Sequence, residues 1–197
     1  VSSLDITERN RMNAELLQLP TTDFLTGLPN RRHFMTSLAN EHARLQRELA
    51  SVATVLMLDI DHCKRVNDEH GHAVGDVVLR QLGALICQAQ RKVDVPGRVG
   101  GEEFAILLPG TDMASAAVFA ERLRARVADS SLSIDGGVLL CVTVSIGMAA
   151  MSGTDAGCDA VLARADEALY RAKRGGRNRV EHHDGGSGGV LSQFMAS

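Results

Sequence analysis

The order of apolar segments predicts an α+β domain with the strand and helix order β-α-β-β-α-β, in which helices surround a mainly antiparallel central sheet. The chain has 197 residues, enough for one ordinary domain with short extensions. Apolar runs of strand length alternate with amphipathic segments of helix length. Two short strands also flank a Gly-Gly pair, which predicts an antiparallel hairpin. In this arrangement the first strand and the central hairpin are neighbours in one sheet, backed by the helices of the unit.

Each element follows from local signals along the chain. Pro20 ends an N-terminal segment, and Asn30 is a helix cap for a helix running to about Ala50. The nearly continuous apolar run Ser51–Ile60 is typical of a strand covered on both faces. The remaining predicted elements are a helix over about Ala73–Arg91, a hairpin of Gly97–Val99 and Glu103–Leu108, a helix over Thr111–Asp129, a long strand over Val138–Met151, a helix over Asp159–Arg174 and a strand over Arg179–Glu181.

Three regions are expected along the chain: an N-terminal helical segment over 1–22, a central domain over 23–183 and a flexible glycine-rich tail over 184–197. The N-terminal segment has a short apolar stripe that includes Met12 and Leu16. This helix either packs on the domain or ends a longer signalling helix that pairs two protomers. The sequence from Leu4 to Arg9 resembles the junction that follows PAS sensor domains, which would make this chain the output end of a larger sensor.

Composition narrows the functional classes. Hydrophobic residues make up 45% and charged residues 23% of the chain, which is typical of a globular protein in water. The formal net charge of -3 argues against a basic protein that binds a nucleic acid polymer, and no apolar run approaches the ~20 residues of a membrane-spanning helix. The cysteines are scattered without a C-x-x-C pair, which indicates a reducing, cytoplasmic location and no zinc site.

Four carboxylates are expected to meet at one edge of the sheet. Asp59 and Asp61 stand where the first strand ends, and Glu102 and Glu103 follow the Gly-Gly turn. Because clustered carboxylates repel one another, such a group usually needs a cation, and hard oxygen ligands suit Mg²⁺ or Mn²⁺. The alternative is that the two aspartates only end the strand and the two glutamates are solvated hairpin charges.

The motifs around this edge resemble the GGDEF family. Gly100 to Phe104 reads GGEEF, a Glu variant of the family signature, and Asp23 to Arg31 is similar to its D-x-L-T-G-L-x-N-R motif. The segment from Asn67 to Asp76 matches its N-D-x-x-G-H-x-x-G-D block, and the resemblance spans roughly Asp23 to Val180. It implies a palm-like fold shared with nucleotide cyclases. It also implies a diguanylate cyclase, which condenses two GTP molecules into cyclic di-GMP and two pyrophosphates.

The resemblance also implies metal and catalytic residues. Asp59 and Glu102 would bind the metal through carboxylates and Ile60 through its carbonyl oxygen. Glu103 would be a second-metal ligand or would help to deprotonate the attacking 3′-hydroxyl.

Substrate contacts follow from the same motifs. Asn67 and Asp76 would read the guanine edge, although Asp76 alone would equally suit the start of a helix. The triphosphate would be bound by backbone amides and cationic side chains, here His62, Cys63, Lys64, Lys173 and Arg177. Lys173 and Arg177 alone would also be ordinary charges at a helix end. Cys63 replaces a phenylalanine that is common in the family, and since the expected contact is through the backbone, the change should matter little.

Regulation and assembly are implied as well. Arg91 and Asp94 match the family's R-x-x-D inhibitory site for the cyclic di-GMP product, and Arg122 resembles its secondary inhibitory arginine; a charged helix end is the alternative. One domain holds one GTP, so synthesis requires a homodimer with two-fold symmetry.

Two rival functions stay open: a catalytically silent module that senses GTP or cyclic di-GMP, and a related cyclase or polymerase-like enzyme with other products.

Overall fold

The computed structural model describes residues 20–48, 50–134 and 137–183. The predicted N-terminal helix and the glycine-rich tail fall on 1–19 and 184–197, outside the described residues. The helices are α1 (Arg31–Arg47), α2 (Cys63–His70), α3 (His72–Ala89), α4 (Met113–Asp129) and α5 (Cys158–Arg174). The strands are β1 (Ala53–Ile60), β2 (Val95–Arg98), β3 (Glu103–Pro109), β4 (Ser131–Ile134), β5 (Val138–Cys141), β6 (Val144–Met151) and β7 (Val180–His182).

The central sheet confirms the predicted α+β architecture. Its five strands follow the order β2-β3-β1-β6-β7; the first four pair antiparallel, and β7 runs parallel to β6. All residues of β1 are buried, as its continuous apolar sequence predicts. In the ladder between β1 and β3, Asp59 lies opposite Glu103. The strand end and the glycine turn therefore meet at one edge of the sheet.

Helices cover both faces of this sheet. On one face, Leu58 and Phe104 of the sheet share a core with residues of α3 and α4, the two longer helices of the β-α-β-β-α-β unit. On the other face, Met57 and Leu107 share a core with Phe34 of α1 and Val161 of α5. The helices that precede and follow the unit thus close its second face. None of the helices within the described ranges combines the length and the apolar composition needed to cross a bilayer.

Several boundaries differ from the sequence prediction. The helix capped by Asn30, whose side chain accepts a hydrogen bond from His33 N at 3.0 Å, is confirmed. The predicted strand over Val138–Met151 is wrong as a single strand, because it divides into β5, which pairs with β4, and β6, which joins the central sheet. The helix α2 was not predicted; it begins directly after β1, where only a short turn was expected. Its first and fourth residues, Cys63 and Val66, are buried and anchor it to the sheet.

Candidate active site

Asp59 is the most buried carboxylate at the predicted catalytic edge. It is 3% exposed, Lys173 of α5 hydrogen-bonds to Oδ2, and Oδ1 is buried without a hydrogen-bond partner among the described residues. Burial raises the pKa of Asp59 to about 6; Lys173 opposes this shift, whereas Glu102 and Glu103 add to it. The site therefore holds an acid with one oxygen that accepts no hydrogen bond from residues 20–48, 50–134 or 137–183.

Two adjoining cavities share this carboxylate. The first has a volume of about 420 Å³, the second about 450 Å³, and Asp59, Cys63 and Glu102 line both. The predicted phosphate-binding residues His62, Lys64, Lys173 and Arg177 line the first cavity, together with Ile60. The predicted guanine-reading residues Asn67 and Asp76 line the second, together with Glu103. The first cavity is named the cationic cavity for its basic side chains Lys64, Arg65, Lys173 and Arg177, although Asp61 and Asp68 also line it. The carboxylates of Asp59 and Glu102 thus stand between this cavity and one that offers amide and carboxylate groups.

The floor of the first cavity is the beginning of α2. His62 precedes this helix in the left-handed conformation, with φ 58°, a region in which histidine is one of the commoner residues. The first backbone bond of the helix runs from Val66 N to His62 O at 3.2 Å. The amides of Cys63 and Lys64 therefore belong to the first turn, where backbone N–H groups lack helical acceptors and attract anions.

The Cys63 side chain takes part in the acidic site as well as the backbone. Burial raises the pKa of the Cys63 thiol to about 11, and a hydrogen bond with the Glu102 side chain shifts it in the same direction. The thiol is therefore neutral at physiological pH. The contact with Glu102 goes beyond the backbone role expected for this residue.

The second cavity depends on a close contact between Asn67 and Gly75. A Cβ atom at Gly75 would lie 1.9 Å from Asn67 Oδ1, so only glycine leaves room for the amide at this position. Asp76 lies one residue further along α3. Because α3 begins at His72 and has no acidic residue in its first turn, Asp76 is not a helix-start acid.

The expected convergence of four carboxylates is wrong for Asp61. This residue is buried and borders the first cavity, but its oxygens accept hydrogen bonds from Thr143 Oγ1 at 2.7 Å, Ser145 Oγ at 2.6 Å and Asn178 N at 3.0 Å. Within the described ranges, no three His, Cys, Asp or Glu side chains converge closely enough to form a metal site by themselves. A cation here would need backbone or ligand oxygens in addition to side chains.

The available groups fit a hard divalent cation on those terms. Asp59 offers a buried oxygen that has no hydrogen-bond partner in the described part of the chain, Glu102 lies in the same cavity wall, and Ile60 borders the first cavity. Phosphate oxygens typically complete the coordination of Mg²⁺, which is rarely held by protein ligands alone. Lys173 now supplies the positive charge beside Asp59. Lys173 also lies in the last turn of α5, where its charge suits the helix dipole. This agrees with the alternative interpretation, in which Lys173 is an ordinary charge at a helix end.

Sequence reasoning missed a link between the N-terminal turn and the glycine turn. The Arg98 guanidinium donates to Asp23 Oδ1 at 3.1 Å and to the Gly101 carbonyl oxygen at 2.7 Å. Arg98 and Asp23 are each 15% exposed, so solvent screens this ion pair little. The available signals were Asp23, which opens the D-x-L-T-G-L motif, and Arg98, which lies two residues before Gly100. Their pairing across 75 residues is not visible in the sequence.

The predicted inhibitory residues form a partly internal cluster. Arg91 donates to Asp94 through its backbone N at 2.7 Å and its guanidinium at 2.8 Å, and also to Thr111 Oγ1 at 2.6 Å. The Asp94 side chain is fully buried, whereas that of Arg91 is 55% exposed. Only Arg91 of this pair therefore presents its side chain to solvent. Arg122 lies on the surface of α4, with its guanidinium 5.8 Å from the Phe119 ring centre.

Comparisons with known proteins agree with this geometry. The profile of the family described as "Diguanylate cyclase, GGDEF domain" matches residues 20–179. The diguanylate cyclase DgcP of Pseudomonas aeruginosa is 44% identical over 164 residues, which cover 83% of this chain and 24% of DgcP. The response regulator PleD of Caulobacter vibrioides is 40% identical over 173 residues, which cover 87% of this chain and 38% of PleD. The chain thus spans well under half the length of these curated relatives.

Solved structures show the same fold. The GGDEF domain of DgcB from Caulobacter crescentus, solved in complex with c-di-GMP, superposes with a TM-score of 0.80 at 37% identity. The match covers 83% of this chain and 93% of that domain.

Proposed function

Because this chain belongs to the GGDEF family of diguanylate cyclase domains, we propose that it condenses two GTP molecules into cyclic di-GMP and two pyrophosphates. The observation that carries the proposal is the arrangement of two adjoining cavities around Asp59 and Glu102. One cavity has lysine and arginine side chains that can bind a triphosphate, and the other has the amide and carboxylate groups that suit a guanine edge. Since the substrate is a cytoplasmic nucleotide, we place the domain in the cytoplasm.

Asp59, Glu102 and the Ile60 carbonyl would hold Mg²⁺ or Mn²⁺, and Glu103 lies beside them opposite Asp59 in the ladder. Such a cation, when bound, lowers the pKa of the attacking 3′-hydroxyl and neutralises charge on the phosphates. Lys173 would leave Asp59 for the triphosphate, where its charge is needed next to Lys64 and Arg177. The amides at the start of α2 would bind the terminal phosphates.

Glu103 would accept the proton of the 3′-hydroxyl or help to orient it. Attack of that oxygen on the α-phosphate of the opposed GTP forms the new phosphodiester bond, and pyrophosphate leaves with the bonding electrons. Little covalent chemistry is demanded of the protein, so the rate depends on orientation and on electrostatic stabilisation. The rate would therefore depend mainly on how the sheet edge orients Asp59 and Glu103.

Selection of guanine would rest on Asn67 and Asp76. A carboxylate accepts hydrogen bonds from the N1 and N2 donors of guanine, and an amide matches the remaining edge. Adenine lacks these donors at N1 and C2, so it would leave the Asp76 carboxylate unpaired in the cavity. We therefore expect ATP to be rejected.

The reaction also requires a homodimer. Each domain would supply one GTP, and the two reciprocal attacks need two sites that face one another with two-fold symmetry. An upstream sensor would then control synthesis by changing the orientation of the two domains. The pairing of N-terminal helices that this implies stays a prediction, because residues 1–19 lie outside the described ranges.

A chromatographic turnover assay tests the proposal. Purified protein, dimerised through an N-terminal coiled-coil fusion, is incubated with Mg²⁺ and either GTP or ATP. We expect cyclic di-GMP from GTP alone, and loss of synthesis in Glu103→Ala with the fold retained. Binding of GTP without any product from the enforced dimer would instead indicate a sensor module, and turnover of ATP or formation of cyclic GMP would indicate a different cyclase.

Product inhibition at Arg91 is a separate proposal. Arg91 presents a half-exposed guanidinium, the planar group that binds phosphate and guanine edges well. We expect Arg91→Ala to raise the cyclic di-GMP concentration needed for half-inhibition by at least about tenfold. Arg126→Ala, which removes an exposed arginine bonded to Gln88, is the matched control. Unchanged inhibition in Arg91→Ala would remove this residue from the regulatory site.

A further inference from the structure

The turn that follows α5 has an unusual backbone conformation. Gly176, Arg177 and Asn178 have successive φ angles of 115°, 63° and 45°, all in the region that favours glycine. Asparagine tolerates this region, whereas arginine adopts it only with backbone strain. Strain of this kind persists only where neighbouring groups hold the chain. The turn also carries Arg177 into the cationic cavity.

Asp61 holds this turn from the side of the sheet. Its Oδ2 atom accepts the hydrogen bond from Asn178 N at 3.0 Å. The same carboxylate is fixed by Thr143 Oγ1 and Ser145 Oγ, and by its own backbone bond from Asp61 N to Thr143 O at 2.9 Å. Asp61 is 5% exposed, so this anchor is both buried and immobile. Although Asp61 borders the cationic cavity, its negative charge repels a triphosphate, which excludes a direct attractive contact.

Arg124 of α4 holds the turn from the opposite side. Its Nη1 atom donates to Asn178 Oδ1 at 2.7 Å, and its Nε atom donates to Glu121 Oε2 at 2.7 Å. The Arg124 side chain is only 22% exposed, so its orientation is well defined. Asn178 therefore makes two anchoring hydrogen bonds: its backbone N–H donates to Asp61, and its side-chain oxygen accepts from Arg124. Arg177, one residue earlier, is also tied to α5 by the bond from its N to Ala172 O at 3.0 Å.

We propose that Asp61 and Arg124 are positioning residues that hold the strained Arg177–Asn178 turn so that Arg177 faces the phosphates of GTP. This inference rests on the proposed function, because it assigns the cationic cavity to the triphosphate. Neither side chain donates a hydrogen bond to the substrate; both act through Asn178. The energetic reason is that a phosphate-binding arginine held in place before binding loses less conformational freedom when the ligand arrives.

The experiment measures the affinity of Mg²⁺-GTP by calorimetry for Asp61→Ala and Arg124→Ala. We expect each variant to bind about tenfold more weakly than the parent chain, by analogy with other misplaced binding groups. The matched control is Arg126→Ala, which removes a neighbouring exposed arginine of α4 that is bonded to Gln88. This control should bind within about twofold of the parent chain.

A double-mutant cycle separates positioning from general destabilisation. In the Arg177→Ala background, Arg124→Ala should cause no further loss of GTP affinity, because the residue it positions is gone. Parent-like affinity in Arg124→Ala overturns the inference. An equal loss in both backgrounds also overturns it, and so does equal weakening by Arg126→Ala and Arg124→Ala. If Asp61→Ala does not fold, the cycle with Arg124, which lies outside the sheet on α4, decides alone. Failure of the parent chain to bind GTP, or unchanged binding in Lys64→Ala, would count against the proposed function instead.

Discussion

Asp59 is a residue at which binding chemistry and stability oppose each other. Its pKa is raised from 3.8 to about 6, so folding favours the protonated acid and the ionised form destabilises the domain. The stabilising contribution of the proton is complete below about pH 4. It is lost as the pH rises through about 6. A carboxylate kept in this environment is strained in the metal-free protein, and a cation at its unpaired oxygen would relieve that strain.

This balance predicts a pH-dependent effect of Asp59→Asn. In metal-free buffer at pH 8 the variant should be more stable than the parent chain by about 1 to 3 kcal/mol, because the buried charge is gone. At pH 4 the advantage should disappear. Thermal melts at the two pH values measure the difference, with the exposed Asp68→Asn as the control. A difference in melting temperature that is the same at both pH values would contradict the assigned cause.

Gly75 gives a second prediction, in which helix stability and binding change in opposite directions. Alanine inside α3 should stabilise the helix by roughly 1 kcal/mol relative to glycine. Its Cβ atom, however, would collide with Asn67 Oδ1 and displace the amide from the second cavity. We expect Gly75→Ala to bind GTP at least about tenfold more weakly without a loss of melting temperature. Gly157→Ala, which has open space at its Cβ, is the control, and parent-like affinity in Gly75→Ala would refute the role of Asn67.

The sequence identifies some of these residues better than others. Asp59 and Glu102 stand beside recognisable boundaries, a strand end and a glycine pair, so their proximity follows from the strand order. Asp61 stands beside the same boundary but turns towards Thr143 and Asn178, which lie 82 and 117 residues away. Nothing in the local sequence distinguishes its role from that of Asp59. The number of acids at the edge was predictable, whereas the direction of each side chain was not.

Among the elements, the glycine turn between β2 and β3 depends on a contact from outside the hairpin. Arg98 joins the Gly101 carbonyl oxygen to Asp23, which lies eight residues before the start of α1. Because Glu102 and Glu103 follow this turn, its orientation sets where the carboxylates lie. A movement of Asp23 would therefore be transmitted through Arg98 to the turn ahead of Glu102 and Glu103, alongside the backbone bond from Arg98 N to Pro29 O at 2.9 Å.

We predict that Arg98→Ala lowers kcat by about tenfold or more and changes the KM for GTP less, since the metal-binding turn loosens while both cavities persist. Arg164→Ala is the matched control: it breaks another partly buried arginine–aspartate pair, with Asp155, and Arg164 also contacts Ala150 at the opposite end of the sheet. Steady-state kinetics of cyclic di-GMP formation measure both. Equal kcat values for Arg98→Ala and the parent chain would exclude this role.

Element boundaries show where sequence patterns are insufficient. The run from Val138 to Met151 contains neither proline nor an internal polar stretch that marks a break. The chain nevertheless leaves β5 and enters β6 around Thr143, because Thr143 bonds to Asp61 of the central sheet through both its backbone and its side chain. Likewise, α2 has few apolar residues and is fixed by tertiary contacts of Cys63 and Val66.

At the scale of the whole molecule, the sheet order brings the two halves of the site together. Pairing of β1 with β3 places Asp59 opposite Glu103, and α5 then returns Lys173 and Arg177 to the same edge. This architecture followed from the predicted element order. The proposed dimer does not follow in the same way, because the position of a second protomer is set by contacts between molecules.

We predict that synthesis by the chain without a dimerising fusion rises steeply with protein concentration. Because two protomers must meet, the rate per protomer should increase in proportion to concentration well below the dimer dissociation constant and level off above it. The enforced dimer should show a rate per protomer that does not depend on concentration. Assays at saturating GTP over a wide range of protein concentrations measure this, and a constant rate for the unfused chain would contradict the requirement for two facing sites.

Titration calorimetry of GTP with and without Mg²⁺ tests most directly whether the edge carboxylates and the nucleotide share a cation. The parent chain should bind GTP at least about tenfold more tightly with Mg²⁺, and so should Asp68→Ala, whose exposed carboxylate lines the same cavity but is not one of the proposed metal ligands. Asp59→Ala and Glu102→Ala should lose most of this Mg²⁺ dependence. Equal Mg²⁺ dependence in Asp59→Ala and the parent chain would contradict the account.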